Sequence, residues 1–153
     1  MTMRKALLGL MLAAAAGVHA ADKPCSKADA ATAEKAIDRV VSWQQLQRAW
    51  QDYRHCDTGA VADVFTDALL RLTVDWKNVD ALAGAMRSDP QYRDFVVLHL
   101  KSEAAKDDRD AIYSRAKASC PSGLDAFCGE LADVVKAADE ADAAKAKPQA
   151  GKK

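Results

Sequence analysis

The chain has 153 residues, of which 50% are hydrophobic, and its formal net charge is zero. This length predicts one domain, and the hydrophobic fraction is too high for a disordered protein. Balanced charge gives no whole-chain electrostatic argument for binding nucleic acid or a membrane surface. Only 6% of the residues are aromatic, and the abundance of Ala and Leu favours helices over sheets.

The first twenty residues have the layout of a secretory signal peptide. Arg4 and Lys5 form a basic start, and residues 6–16 form an apolar run. That run is shorter than the ~20 residues that span a bilayer, and small residues follow it. We therefore expect cleavage after Ala20 or Ala21 and export to the periplasm, or secretion. The predicted segments are a signal peptide at 1–20, a helical domain at 21–142 and a disordered tail at 143–153.

Four cysteines follow the predicted cleavage site, and an even count in an exported chain predicts disulfides. We expect the pairs Cys25–Cys56 and Cys120–Cys128, because the first joins two ends of a helical hairpin and the second flanks a Pro-Ser-Gly turn. The sequence contains no C-x-x-C motif, so c-type haem attachment is excluded and a zinc site is disfavoured. We predict no cofactor and no metal site.

Helix-start signals divide the rest of the chain into consecutive helices. Ser26 with Asp29 and Ser42 with Gln45 fit capping boxes, and Pro90 suits a first helical position. The predicted helices cover residues 26–40, 42–54, 57–76, 78–88, 89–105, 108–119 and 122–143, and the sixth of these begins at Asp107 or Asp108. No strand pattern is present. The predicted fold is all-α, a single disulfide-stabilised bundle of about six to seven short helices. The fifth helix is apolar over most of its circumference and is predicted to be the central one.

Two short motifs near the second cysteine have chemical interpretations. Asp57-Thr58-Gly59 matches the aspartic-protease tripeptide, but it occurs once and is predicted to open a helix. His55-Cys56-Asp57 resembles a metal cluster, but an oxidised Cys56 cannot ligate a metal. We therefore interpret this segment as a helix cap beside a disulfide.

Two other residues are candidates for chemistry. His99 lies within the apolar arc of the fifth helix, where a buried, neutral, hydrogen-bonded histidine is more common than a general base. Glu130 follows Cys128-Gly129 and has the most distinctive context of the available glutamates. Neither has a recognisable catalytic partner nearby in sequence, so we assign no catalytic residue.

The third helix carries a candidate binding surface. Leu70 and Val74 point away from its main apolar face, and Asp63 and Asp67 lie on the same side. Either this helix is sandwiched, and the two apolar residues are buried against the first or the fourth helix, or they form an apolar patch with an acidic border. Such a patch suits a basic or amphipathic partner or a second copy of the chain.

These features favour an exported, non-catalytic protein-binding module, such as an inhibitor or an immunity protein. In general profile the chain is similar to small exported helical immunity proteins that neutralise cell-wall amidases, although no motif carries that likeness. Two alternatives remain open: a peptidoglycan-directed hydrolase and a periplasmic carrier of a small ligand or metal. The expected partner is an exported effector protein or the chain itself, without nucleic-acid binding or membrane insertion.

Overall fold

The computed structural model describes residues 23–146, which form seven α-helices and no strand. The predicted signal peptide and residues 147–153 lie outside the described residues. Two short 3-10 turns, Arg54–Cys56 and Glu103–Asp108, interrupt the helices. The all-α, disulfide-stabilised bundle is confirmed. In chain order the helices are α1 Lys27–Asp38, α2 Trp43–Tyr53, α3 Gly59–Asp75, α4 Val79–Ser88, α5 Pro90–Leu100, α6 Arg109–Ala118 and α7 Asp125–Ala146.

Side-chain caps explain where three of these helices begin. Ser26 and Asp29 form a capping box, in which each side chain accepts a hydrogen bond from the other residue's backbone N–H. Ser42 Oγ accepts a bond from the N–H of Gln45. The Asp89 carboxylate accepts two backbone N–H bonds at the start of α5. Each cap partners amide groups that the first helical turn leaves unbonded.

The centre of the bundle is α3, whereas the sequence predicted the fifth helix. Helix α3 contacts α1, α2, α5, α6 and the Glu103–Asp108 turn. Its buried residues are Val61, Phe65, Thr66, Ala68, Leu69, Leu70 and Thr73. On α5, by contrast, Leu98 exposes 64% of its surface. The apolar circumference of α5 therefore did not make it the central helix, because the central helix is the one that most other elements surround.

The end of α5 also differs from the prediction. We expected a helix to about residue 105, but α5 ends at Leu100 and the chain continues into the Glu103–Asp108 turn. Arg109 accounts for this end, because its guanidinium donates to the carbonyls of residues 100, 101 and 102. These carbonyls would otherwise accept bonds from a continuing helix.

Both predicted disulfides are present. Cys25–Cys56 joins the start of α1 to the 3-10 turn that follows α2. Cys120–Cys128 joins the loop after α6 to the beginning of α7. Within residues 23–146, no helix is both long enough and apolar enough to cross a membrane.

Candidate functional site

A buried polar cluster surrounds His99, which is 3% exposed. Its Nδ1 lies 2.7 Å from Thr66 Oγ1 on α3, and its Nε2 lies 3.1 Å from Asp57 Oδ2. The rings of Phe65 and Phe95 pack beside the imidazole. His99 therefore joins α5 to α3 and to the segment that follows Cys56. Asp57, which we expected to cap α3, bonds His99 instead.

The direction of the hydrogen bonds in this cluster depends on where the hydroxyl hydrogen of Thr66 points. Thr66 Oγ1 also lies 2.9 Å from the carbonyl of Ala62, and it has one hydrogen to donate. If that hydrogen goes to Ala62, His99 Nδ1–H donates to the hydroxyl. If it goes to His99, Nδ1 accepts it and the contact with Ala62 is no longer a hydrogen bond. In either case the Thr66 hydroxyl and the His99 ring share a hydrogen bond that joins α3 to α5.

Asp57, His99 and Thr66 have the order of a carboxylate–imidazole–hydroxyl catalytic triad. A triad needs a hydroxyl that a substrate can reach. Thr66 is 3% exposed, and its oxygen is held inside α3 by the contact with Ala62. The arrangement in this structure is therefore suited to holding three segments together.

Several polar atoms beside this cluster are buried without a hydrogen-bond partner. They are Arg54 Nε, both ring nitrogens of His55 and Asp57 Oδ1. The Arg54 guanidinium lies over the Trp50 ring and donates from another nitrogen to Gln91. Cys56 is in a disulfide and cannot ligate a metal. Among residues 23–146, no group of three or more His, Cys, Asp or Glu side chains could hold a metal ion.

A groove of about 760 Å³ lies between α5 and α7, and we call it the α5–α7 groove. Its α5 side is formed by Arg93, Val97 and Lys101. Its α7 side is formed by Ala126, Gly129, Glu130, Asp133, Val134 and Ala137. Every one of these residues is exposed or half-buried, so the groove is a surface feature and not an enclosed pocket. A smaller cavity of about 230 Å³ adjoins it toward α4.

The two sides of the α5–α7 groove carry opposite charges. Arg93 and Lys101 make the α5 side basic, whereas Glu130 and Asp133 make the α7 side acidic. Arg93 Nη2 lies 2.6 Å from Glu130 Oε1 and bridges the groove. Glu130, the distinctive glutamate of the sequence, is therefore in the groove but paired with an arginine.

Arg109 fixes the other end of this groove and is fully buried. Its guanidinium donates to three backbone carbonyls at the end of α5, those of Leu100, Lys101 and Ser102. It also donates to Asp139 and Asp142 on α7, at 3.0 and 2.7 Å. Arg109 thus binds both helices that form the groove.

The ionisation of this network follows from its contacts. Burial disfavours the charged guanidinium, but the hydrogen bonds that Arg109 donates to Asp142 and Asp139, together with the charges of these carboxylates, outweigh this cost, and the pKa of Arg109 is raised. The hydrogen bond from Arg109, followed by that from Lys145, lowers the pKa of Asp142. The Arg109–Asp142 pair is therefore ionised over the whole neutral range.

Three of the four binding residues predicted on α3 line a second groove of about 490 Å³, namely Asp67, Leu70 and Val74, whereas the exposed Asp63 does not. Arg115 of α6 and Asp108, which precedes α6, also line it. Leu70 is 6% exposed, and the half-buried Val74 packs on the core. Asp67 is ion-paired with Arg71. Leu70 and Val74 thus match the sandwiched arrangement more closely than the exposed patch. We call this second surface the α3–α6 groove.

Two residues that fix the α5–α7 groove were missed from the sequence. Arg109 lies near the start of a predicted helix and was not singled out, but it is buried. One signal was available, because Arg109 shares a helix face with the buried Ile112 and Ala116. Arg93 gave no comparable signal, because its partner Glu130 lies on a helix distant in sequence.

Comparisons of this chain with family models, with curated proteins and with solved structures found no match.

Proposed function

We propose that this chain is an exported, non-catalytic protein-binding module of the inhibitor or immunity-protein kind, and that it binds through the α5–α7 groove. The two disulfides support a periplasmic or secreted location, because such bonds persist in oxidising compartments. The predicted signal peptide points in the same direction.

The observation that supports this proposal is that the α5–α7 groove is open to solvent and has a basic side and an acidic side. Small-molecule sites enclose most of their ligand within apolar walls. Here the floor is Val97 and Val134 with small residues, and Arg93, Lys101 and Asp133 on its sides are exposed. An apolar centre with a charged rim is the usual composition of a protein interface. Anchoring by Arg109 at one end and by the Arg93–Glu130 pair at the other gives this surface a fixed shape.

Affinity capture with the mature, disulfide-bonded protein tests the proposal. We expect wild type to retain a specific protein from a periplasmic extract and Asp133→Lys to lose it. Asp38→Lys is the matched control, because it makes the same change at an exposed site at the end of α1. Equal retention by both variants would contradict binding through the α5–α7 groove.

One observation favours a peptidoglycan-directed hydrolase as a second candidate. Glu130 and Asp133 lie one helical turn apart in the same groove, and glycoside hydrolysis uses two carboxyl groups. Release of soluble fragments from purified peptidoglycan by wild type, and its loss in Glu130→Gln, would establish this activity. No release by wild type would dismiss it.

A further inference from the structure

The smaller cavity of about 230 Å³ lies where α4, α5 and α7 meet, and we call it the junction cavity. It is continuous with the α5–α7 groove, because Arg93, Ala126 and Glu130 line both. A ligand anchored in the junction cavity can therefore extend into the groove.

The floor of the junction cavity is apolar. Ala83, Met86 and Phe127 form it, and each of these residues is less than a tenth exposed. A cavity of about 150 Å³ with apolar walls holds benzene, whereas pockets for drug-sized ligands measure about 300–1,000 Å³. The size of the junction cavity thus matches one branched or aromatic side chain.

The rim of the junction cavity carries one uncompensated positive charge. Arg93 Nη2 lies 2.6 Å from Glu130 Oε1, so the charges of these two residues cancel. Arg87 also lines the cavity and is exposed. Within residues 23–146 no carboxylate lies within ion-pairing distance of Arg87.

Helix ends do not change the sign of this rim. The last turn of α4 and the first turn of α7 both contribute to the cavity. Their partial charges are opposite and offset each other. The guanidinium of Arg87 therefore makes the cavity selective for a negative charge next to an apolar group.

The C-terminal residue of a protein has this combination of groups. Its side chain and its carboxylate share one Cα, so an apolar side chain can occupy the floor while the carboxylate reaches the rim. Arginine binds carboxylates through paired hydrogen bonds, and capture of a C-terminal carboxylate is a recurring mode of peptide recognition. An internal Asp or Glu would need a second residue to fill the apolar floor.

We infer that the junction cavity binds the C-terminal residue of the partner protein, with an apolar side chain on Met86 and Phe127 and the terminal carboxylate on Arg87. This inference rests on the proposed function, since it names the part of the partner that is anchored beside the α5–α7 groove. The residues that precede the partner's C-terminus then extend along the groove.

A short acetylated peptide that ends in leucine tests the inference by amide chemical-shift titration of the mature, disulfide-bonded protein. We expect shifts at Ala83, Ala126 and Phe127, with saturation below about 10 mM peptide. Amidating the terminal carboxylate should weaken binding about tenfold, because it removes a charge-assisted contact. Replacing the terminal leucine with glycine should weaken it by a similar factor, because the apolar floor then stays uncovered.

Arg87→Gln separates the carboxylate contact from the apolar one. It should weaken binding of the free-acid peptide about tenfold and leave binding of the amidated peptide unchanged. Arg48→Gln is the matched control, because it makes the same change at an exposed position on α2. The spectra themselves show whether each variant is folded.

Three results would overturn the inference. They are no saturation by the free-acid peptide up to about 10 mM, equal binding of acid and amide, and undiminished binding by Arg87→Gln. Acetyl-leucine alone should bind more weakly than the peptide, because it makes no contact along the groove. Equal affinity would instead assign the cavity to a small carboxylate and contradict a protein C-terminus.

The capture comparison with Asp133→Lys distinguishes this inference from the proposed function. If the peptide does not bind but Asp133→Lys still loses the captured protein, the groove binds its partner through other contacts and only this inference fails. If the peptide binds as expected but Asp133→Lys retains the captured protein, the site in the junction cavity stands and binding through the α5–α7 groove fails.

Discussion

Two buried polar clusters in this protein differ in how completely their hydrogen bonds are satisfied. Around Arg109, five hydrogen bonds use all the donor capacity of the guanidinium. Around His99, both ring nitrogens have partners, but four neighbouring atoms, on Arg54, His55 and Asp57, are buried without one. Because an unmatched buried polar atom costs free energy, the Arg109 cluster stabilises the fold more effectively than the His99 cluster.

The two clusters also differ in whether a disulfide lies beside them. The His99 cluster lies beside the Cys25–Cys56 disulfide, which holds its chain segment in place. The Arg109 cluster joins α5 to α7 by non-covalent bonds alone. We therefore expect the Arg109 cluster to depend on one side chain, and the His99 cluster to depend on the neighbouring disulfide.

Replacing Arg109 should have the largest effect of any single substitution. Arg109→Met leaves two carboxylates and three carbonyls without their donor, and breaking a buried ion pair in this way costs about 3–5 kcal/mol. Arg109→Lys is the control that keeps the charge but cannot make all five bonds, so its free energy of unfolding should lie between those of Arg109→Met and wild type. Urea unfolding measures the free energy of unfolding of both variants. If Arg109→Met lost less than about 1 kcal/mol, the Arg109 cluster would not stabilise the fold more than the His99 cluster.

The two disulfides should differ in their contribution. Cys25–Cys56 closes a separation of 31 residues and Cys120–Cys128 one of 8. The chain-entropy relation gives about 3.7 kcal/mol for the first and about 2.5 kcal/mol for the second. Paired Cys→Ser variants, compared by chemical unfolding, measure this difference. Equal losses would contradict this ranking by loop length, and a difference well above about 1 kcal/mol would show that the N-terminal disulfide also supports the His99 cluster.

Thr66→Val should have a smaller effect, because it removes the hydroxyl at nearly constant shape. The lost contacts are those with Ala62 and His99, for which we expect about 1–2 kcal/mol. Thr73→Val is the matched control, since its buried hydroxyl bonds only the carbonyl of Leu69. If the two variants are equally stable, the contact with His99 adds nothing, and this cluster is weaker than its geometry indicates.

Acid should produce the smallest and most local effect. A hydrogen bond from Ser26, followed by one from Lys23, lowers the pKa of Asp29 from 3.8 to about 2. Because the folded-state pKa is the lower one, this stability is present above pH 3.8 and is lost as the pH falls toward 2. Asp29→Asn should flatten that part of the stability–pH curve. An unchanged curve would contradict the role of this cap.

Local signals predicted much of the fold, and long-range contacts account for the rest. Ser26, Ser42 and Asp89 could be recognised as caps because their bonds lie within one helical turn. The cysteine pairs followed from a hairpin and a turn. Arg109 could not be predicted as a junction, because its acceptors are carbonyls and side chains brought together by folding. The α5–α7 groove was missed for the same reason, since neither helix shows it alone.

Amide chemical-shift mapping would show whether the α5–α7 groove is the binding surface. Spectra of the mature, disulfide-bonded protein would be compared before and after addition of a captured partner. We predict that shifts concentrate at Val97, Lys101, Asp133 and Ala137. Shifts concentrated around Asp67 and Val74 in the α3–α6 groove, with these four unchanged, would contradict it.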